Sequence, residues 1–311
     1  MAEFHVWMTI ISVVILFLFS IKKFSKQIQQ IESKKFKKLL KRITSTPLKG
    51  TLVGAGVTAL IQSSAATMVI LVGLVHAGTI SFFNSLGVII GANIGTTITA
   101  QLVAFNIMAI APIFIVLGFL VELFGKKYKM WGRPVFYFGL VFFSLSLISI
   151  YIEPIKSDPQ VLFLFSNITG IFTAILAGFI ITFLVQSSSI SSGLVIVLAG
   201  TGLLNLVQAT GIIFGANIGS TTTALISSRN LNYTARKTAF AHFMFNVLGV
   251  LIFLPFVIPF TNFVMSLGGS PERVVANAHL IFNLTIAIIF LILIKPFNYC
   301  IEKTFSKISK K

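Results

Sequence analysis

Long apolar runs separated by short polar segments cover most of the chain. Seven of these runs approach or exceed the roughly 20 residues that carry a helix across a bilayer. They lie at about 4–21, 82–105, 107–124, 134–152, 203–228, 238–260 and 274–294. The pattern predicts an all-α integral membrane protein, because helices satisfy their backbone polar groups inside lipid.

Two further apolar regions, 49–78 and 173–202, are each about 30 residues, which is long for one crossing and too short for two. Each contains a neutral polar cluster near its middle, "IQSSAATM" at 61–68 and "VQSSSISS" at 185–192. Two half-helices of about 12 residues would each rise roughly 18 Å, a little over half of the apolar core. We therefore predict two re-entrant helical hairpins with their tips at the polar clusters, shielded from lipid by protein or by a water-filled cavity.

A 124-residue shift aligns the two hairpin regions without a gap. Positions 52–100 and 176–224 then share 19 of 49 residues, including QSS and the segment GANIG at 91–95 and 215–219. This match indicates an internal duplication. Because three predicted spans separate the hairpins, the second copy should enter from the opposite face, as an inverted-topology repeat. The predicted divisions are an N-terminal helix and basic segment (1–47), repeat 1 (48–152), repeat 2 (153–295) and a basic tail (296–311).

Charge supports this topology. Charged residues make up 10% of the chain and the net charge is +17, with the basic residues clustered at the ends of apolar runs. Re-entrant hairpins place 22 of the 24 Lys and Arg residues on one side, leaving only Lys156 and Arg273 on the other. The positive-inside rule then predicts a multi-pass inner (plasma) membrane protein with its N-terminus outside and its C-terminus in the cytoplasm. The expected surroundings are a lipid bilayer, not nucleic acid, and the segment 22–42 is a topology anchor or a surface helix on anionic lipid.

The duplicated polar residues suggest a binding site built from two halves. The glycines of GANIG favour local unwinding, and freed carbonyls with Asn93 and Asn217 would suit sodium. The hydroxyl pairs Thr96/Thr99 and Ser220/Thr223 are spaced i and i+3, so each pair faces one direction. Close packing of helices at small residues is the alternative explanation of GANIG.

The serines of the QSS clusters begin the second half-helix of each hairpin. The free N–H groups and the dipole of a helix N-terminus favour an anion there, although local capping by the serines is an alternative. No ionised side chain is predicted deep in a span, so a bound anion would need co-bound cations. His76, His242 and His279 lie near or in spans, and the repeated "AHFMFN" and "AHLIFN" suggest interhelical hydrogen bonds more than proton transfer. These features indicate sodium-coupled anion transport.

The paired QSS and GANIG motifs resemble those of the type II sodium-dependent phosphate cotransporters, over roughly residues 48–295. The resemblance implies phosphate symport by alternating access, with sodium as coupling ion and no other cofactor. Implied phosphate ligands are Ser63, Ser64, Ser187, Ser188 and Ser189. Implied sodium ligands are Gln62, Thr96, Thr99, Gln186, Ser220 and Thr223, beside Asn93 and Asn217 above. The first motif departs from the family pattern, with Ala65 where a third serine is common.

Other functions stay open from the sequence. Sulfate is also a tetrahedral dianion, and a carboxylate carrier could use serine-bearing hairpins, although no NMDGT-like segment or deep arginine is present. An anion channel with two re-entrant loops is a different class, but rings of charged side chains are missing. No catalytic or metal-binding motif in the sequence supports an enzymatic function. A homodimer is neither indicated nor excluded.

Overall fold

The structure, a computed structural model, describes residues 2–43, 45–105 and 107–308. This part of the chain is all-α, as predicted, and contains 15 α-helices and no strand. The helices are α1 Ala2–Ile43, α2 Pro47–Ile61, α3 Ser64–His76, α4 Phe82–Ala104, α5 Ala111–Phe124, α6 Lys129–Ile152, α7 Pro159–Ser166, α8 Ile171–Val185, α9 Ser188–Gly200, α10 Leu206–Ser220, α11 Thr222–Ser228, α12 Tyr233–Phe253, α13 Val257–Ser266, α14 Pro271–Ile292 and α15 Ile294–Ile308.

Six helical segments of this part are long and apolar enough to cross a membrane. They are His5–Ile31, Phe82–Ala104, Lys129–Ile155, Leu206–Ser228, Tyr233–Ser266 and Pro271–Ile292. Six of the seven predicted spans are therefore confirmed as helical segments of sufficient length and hydropathy. Large apolar side chains point outward from these helices and from α5, among them Ile15, Phe124 and Ile288. So wide an apolar surface suits lipid and not water, and the chain is a multi-pass membrane protein.

The seventh predicted span, 107–124, is not one continuous α-helix. A 3-10 turn occupies Ile107–Ile110, and α5 has 14 residues. Such a helix is about 21 Å long, against a roughly 30 Å apolar core. Its backbone lies close to α6 at two glycines, Gly118 against Phe136 and Gly132 against Glu122. The two helices are therefore antiparallel neighbours, and the prediction of a full α-helical span at 107–124 is wrong.

Both predicted hairpins are present as helix pairs. The first consists of α2 and α3, and the second of α8 and α9, with 15 and 13 residues in each copy. At each hairpin only two residues interrupt the helices, Gln62–Ser63 and Gln186–Ser187. The pairs are braced by equivalent buried hydroxyl contacts, Thr58 to Thr67 (3.1 Å) and Thr182 to Ser191 (2.6 Å). Four helices of these lengths are too short to cross alone, which is the property that the sequence predicted.

The GANIG glycines pack the hairpins against the following helices. A Cβ added at Gly91 would overlap the carbonyl oxygen of Thr51, and one at Gly215 would overlap the carbonyl oxygen of Ile175, the equivalent residue. One turn later, a Cβ at Gly95 would lie 2.5 Å from the carbonyl oxygen of Ala55. Helices α4 and α10 run unbroken through both segments. The predicted unwinding at GANIG is therefore wrong, and close backbone packing explains these glycines.

The first helix, α1, runs without interruption for 42 residues, well beyond the predicted run at 4–21. Phe17 is 1% exposed, and its ring lies 3.3 Å from the position of a Cβ at Gly193 in the second hairpin. Ser25 of α1 donates its hydroxyl to the carbonyl of Ile61, at the tip of the first hairpin (3.4 Å). One helix thus contacts both hairpins.

We predict that Gly91→Ala and Gly215→Ala each lower the thermal midpoint of the detergent-solubilised protein. The added methyl group meets backbone that cannot rotate away, and overpacking of this kind costs about 1–3 kcal/mol. Gly73→Ala is the matched control, because a Cβ there meets nothing within 4 Å. Equal midpoints for all three variants, followed by fluorescence on heating, would contradict the close packing.

Candidate functional site

Both hairpins reverse at a glutamine in the left-handed conformation. Gln62 has a φ of 55° and Gln186 a φ of 58°. Their N–H groups donate to the carbonyls of Thr58 (2.8 Å) and Thr182 (2.7 Å), which end α2 and α8. A side chain disfavours this conformation by about 1–2 kcal/mol, so glycine would serve the turn better. Two glutamines at this position indicate a role for the amide beyond the turn.

The first serine of each motif lies at the N-cap position of the next helix, and the two copies use it differently. The Ser63 hydroxyl accepts from the N–H of Ala66 (3.2 Å), so local capping is confirmed there. Ser187 has the same extended backbone, but its side chain makes no capping hydrogen bond. The second serines, Ser64 and Ser188, are the first helical residues and are buried.

A cavity of about 250 Å³ lies between the two tips and α1. We call it the tip cavity. Its lining residues are Ile21, Lys22, Ser25, Lys26, Gln29, Gln62, Ser63, Val185, Gln186, Ser187 and Ile190. The two motifs therefore meet at one cavity, as the duplicated sequence predicts. Of the predicted phosphate ligands, Ser63 and Ser187 line it, whereas Ser64, Ser188 and Ser189 lie outside the lining.

Thr99 of α4 joins the two halves next to this cavity. Its hydroxyl donates to Oε1 of Gln62 (2.6 Å). The hydroxyl oxygen of Thr99 also lies 3.3 Å from Oγ of Ser189 in the second hairpin. Thr99 and Ser189 are both buried. Three of the predicted site residues, from two hairpins and one long helix, are thereby brought into contact.

The other sodium candidates of the first copy are bonded within their own segments. Asn93 donates to the carbonyl of Ile89 (2.9 Å), and Thr96 to that of Ala92 (3.0 Å). The amide nitrogen of Gln62 donates to the carbonyl of Ala59 (2.5 Å). With Thr99 bonded to Gln62, the first copy has its amide and hydroxyl donors satisfied by protein.

The second copy leaves more of its polar atoms free. The buried Oγ1 of Thr223 and Nδ2 of Asn217 have no hydrogen-bond partner among the described residues. Gln186 likewise makes no side-chain hydrogen bond within the described chain, unlike Gln62. Ser220 donates to the carbonyl of Asn217 (2.8 Å), and the helix is interrupted directly after it, at Thr221. A buried hydroxyl without a partner, such as that of Thr223, is costly unless a ligand or water satisfies it, whereas Nδ2 of Asn217 is a donor and cannot bind a cation.

The two buried histidines behave differently. Nε2 of His279 in α14 lies 3.3 Å from Oδ1 of Asn217 in α10, which confirms the interhelical hydrogen bond expected for "AHLIFN". For "AHFMFN" the expectation is wrong, since neither ring nitrogen of His242 has a partner in the described part of the chain. His76 lies at the end of α3, where its carbonyl accepts from Nδ2 of Asn232 (3.0 Å).

Sequence reasoning missed the contribution of α1 to the site. The expectation that an anion would meet no fixed positive charge is wrong for the tip cavity, since Lys22 and Lys26 line it. The signal was present as polar residues at 22, 25, 26 and 29, one face of a helix that continues past the apolar run. A charge count could not show that this face lies beside the hairpin tips.

A larger cavity of about 760 Å³ is less suited to an anion. It lies at the base of the second hairpin, and its lining includes Thr169, Asn205, Gln208 and Asn262 among mostly apolar residues, with no charged side chain. The tip cavity is smaller, but it contains the duplicated polar residues and two cations. It is therefore the candidate site.

Comparison with known proteins places these residues in a family. The family described as Na+/Pi-cotransporter matches residues 16–150 and 160–268. The uncharacterized protein YqeW of Bacillus subtilis is 32% identical over 86% of this chain and 87% of its own. A putative inorganic phosphate export protein of Salmonella typhimurium, YjbB, is 30% identical over 71% of this chain and 41% of its own. No solved structure was found to match.

A third relative comes from a mammal. The rat sodium-dependent phosphate transport protein 2B is 38% identical over 109 residues, which are 34% of this chain and 15% of that protein. The chain thus spans most of the Bacillus protein, but only 41% of the Salmonella protein and 15% of the rat protein.

We predict that Gln186→Gly separates the backbone role of this residue from its side-chain role. Glycine relieves the left-handed strain, so this variant should be at least as stable as wild type and about 1 kcal/mol more stable than Gln186→Ala. Both variants lose the amide and should lose ligand binding equally. The measurement is thermal unfolding in detergent, and a glycine variant less stable than the alanine variant would contradict the argument.

Proposed function

Since the chain belongs to the Na+/Pi-cotransporter family, we propose that it is a secondary active transporter that carries inorganic phosphate together with sodium. The observation that carries the proposal is the tip cavity, where both QSS motifs and two lysines meet without an acidic side chain. A small oxyanion is the ligand that this chemistry favours. The names of the Salmonella and rat relatives, which refer to phosphate, support the choice of substrate.

Phosphate binding is proposed at the hairpin tips. The N-termini of α3 and α9 begin at Ser64 and Ser188, so the backbone dipoles of both helices favour an anion at their ends. Ser187, whose hydroxyl is not used for capping, is the first ligand that we assign, and Ser63 is its counterpart. Ser64, Ser188 and Ser189 would act by a small rearrangement of the tips, since they lie just behind the lining.

Sodium binding is proposed in the second copy. Thr223 has a buried hydroxyl oxygen without a partner in the described chain, Gln186 lines the tip cavity, and Ser220 precedes a break in the helix. Oxygen ligands of this kind suit a hard monovalent cation. In the first copy, Oε1 of Gln62 accepts the hydroxyl of Thr99 (2.6 Å), so a cation bound by Gln62 would have to compete with that hydrogen bond. We therefore propose that the second copy provides the primary sodium site.

Alternating access between two inverted repeats is the proposed mechanism, with repeat 1 at 48–152 and repeat 2 at 153–295. The equivalent hairpin contacts support the duplication. Opposite orientation of the copies requires that the 107–124 segment crosses with its 3-10 turn and α5 together. The protein would lie in the plasma membrane with its C-terminus in the cytoplasm, and it would carry out no covalent chemistry on its substrate.

The direct test is radiolabelled phosphate flux in proteoliposomes, with and without a sodium gradient, in both directions. We expect sodium-dependent flux that excess sulfate does not abolish. Thr223→Val should raise the sodium concentration for half-maximal flux about tenfold, since one cation ligand is worth about 1.4 kcal/mol or more. Its folding stability should not fall, because the hydroxyl bonds nothing in the described protein.

Thr221→Val is the matched control for that variant. The hydroxyl of Thr221 donates to the carbonyl of Ile218 (2.7 Å), within its own helical turn. Its loss should leave the sodium dependence unchanged. Phosphate flux that does not depend on sodium would reject symport. Phosphate flux that excess sulfate abolishes would indicate that phosphate is not the preferred substrate.

The inverted repeat predicts that the bases of the hairpins face opposite sides. In a Cys300→Ser background, Ala77→Cys should react with an impermeant maleimide only from the cytoplasm, and the equivalent Thr201→Cys only from outside. In the wild-type protein, the exposed Cys300 tests the proposed cytoplasmic side of the C-terminal segment in the same assay. Labelling of both new cysteines from one side would reject the inverted topology.

A further inference from the structure

Two lysines on one face of α1 line the tip cavity. Lys22 and Lys26 are one turn apart, and Ser25 and Gln29 continue the same face. Gln29 donates its amide to the Ser25 hydroxyl (2.9 Å), and Ser25 donates to the Ile61 carbonyl at the first tip (3.4 Å). This polar stripe is therefore held directly against the first hairpin.

The position of α1 is also set by the second hairpin. Phe17 is buried against Gly193 of α9, and Ile21 lines the cavity beside Ile190. The lysines follow these residues on a continuous helix, so their Cα positions are determined by contacts with both hairpins. They belong to the walls of the cavity and not to a free segment.

The charge of this cavity is unbalanced. Neither Lys22 nor Lys26 has an ion-pair partner in the part of the chain that the structure describes, and no Asp or Glu lines the cavity. Two like charges one helical turn apart repel each other. An anion between the tips and α1 would relieve this repulsion and meet the N-termini of α3 and α9 from the other side.

We propose that Lys22 and Lys26 are anion-binding residues that supply fixed positive charge to the substrate at the hairpin tips. The ligand class is a small oxyanion with two negative charges, which two ammonium groups neutralise as point charges. The proposal builds on the proposed function and extends it. Sodium would then not have to neutralise the substrate alone, and the lysines would favour the dianion over a monoanion.

The test is equilibrium binding of radiolabelled inorganic phosphate to the purified protein in detergent, in sodium buffer and in choline buffer. Lys22→Gln and Lys26→Gln should each raise the dissociation constant about three- to tenfold, as expected for the loss of one nearby charge in a partly aqueous site. Lys22→Arg should stay close to wild type, because the charge is retained.

Lys23→Gln is the matched control. Lys23 is adjacent in sequence, but its ammonium lies 5.3 Å from the centroid of the Phe19 ring and it lines a different cavity, with Glu122 and Arg133. Its removal should leave phosphate affinity unchanged. If Lys23→Gln lowered phosphate affinity as much as Lys22→Gln or Lys26→Gln, the effect would come from general surface charge, and the proposal would be overturned.

A second readout separates charge recognition from a structural role. The loss of affinity in the double variant should be larger at about pH 8, where phosphate is mainly a dianion, than at about pH 5.5, where it is mainly a monoanion. An equal loss at both pH values would overturn the proposal. Lysine-dependent binding by a protein that shows no sodium-dependent flux would support the proposal and reject symport. Absence of phosphate binding by the wild type would reject both.

Discussion

The structure depends on shielding two helix reversals inside an apolar environment. Backbone polar groups cannot face lipid, so each tip must lie against protein or line a water-filled cavity. Glycines make this possible, since Gly91 and Gly215 let α4 and α10 approach the hairpins at backbone distance. Thr99 then satisfies Gln62 and reaches Ser189. The shielding and the polar lining of the tip cavity are two results of the same packing.

The duplicated halves share their backbone but differ in how their polar groups are satisfied. The hairpins have equal helix lengths, equivalent hydroxyl contacts and a left-handed glutamine at the same place. In the first half, Gln62 and its neighbours bond one another. In the second half, Thr223 and Gln186 are left without such bonds. This difference is the basis of the proposal that the second half provides the primary sodium site.

The sequence predicted the fold well where length and repetition decide it. The two regions that are too short for two crossings and too long for one form hairpins in the structure. The 124-residue repeat predicted that both tips contribute to one site, and both line the tip cavity. The structural role of the GANIG segments was harder to predict, because local unwinding of a helix and close packing between helices both require small residues. The contribution of Lys22 and Lys26 could not be predicted, since helical periodicity shows which residues share a face but not which neighbour that face meets.

The unbroken course of α1 has a mechanical consequence. A helix of 42 residues extends for about 63 Å, and it is held at Phe17 and Ser25 by different hairpins. If the hairpins move relative to each other, as the proposed mechanism requires, α1 must tilt; its basic end lies about 27 Å beyond Ser25, so a tilt of about 5° displaces that end by about 2 Å. In the proposed transport cycle, lipid headgroups bound at that end would resist the displacement, and the turnover rate would then depend on the lipid composition of the bilayer.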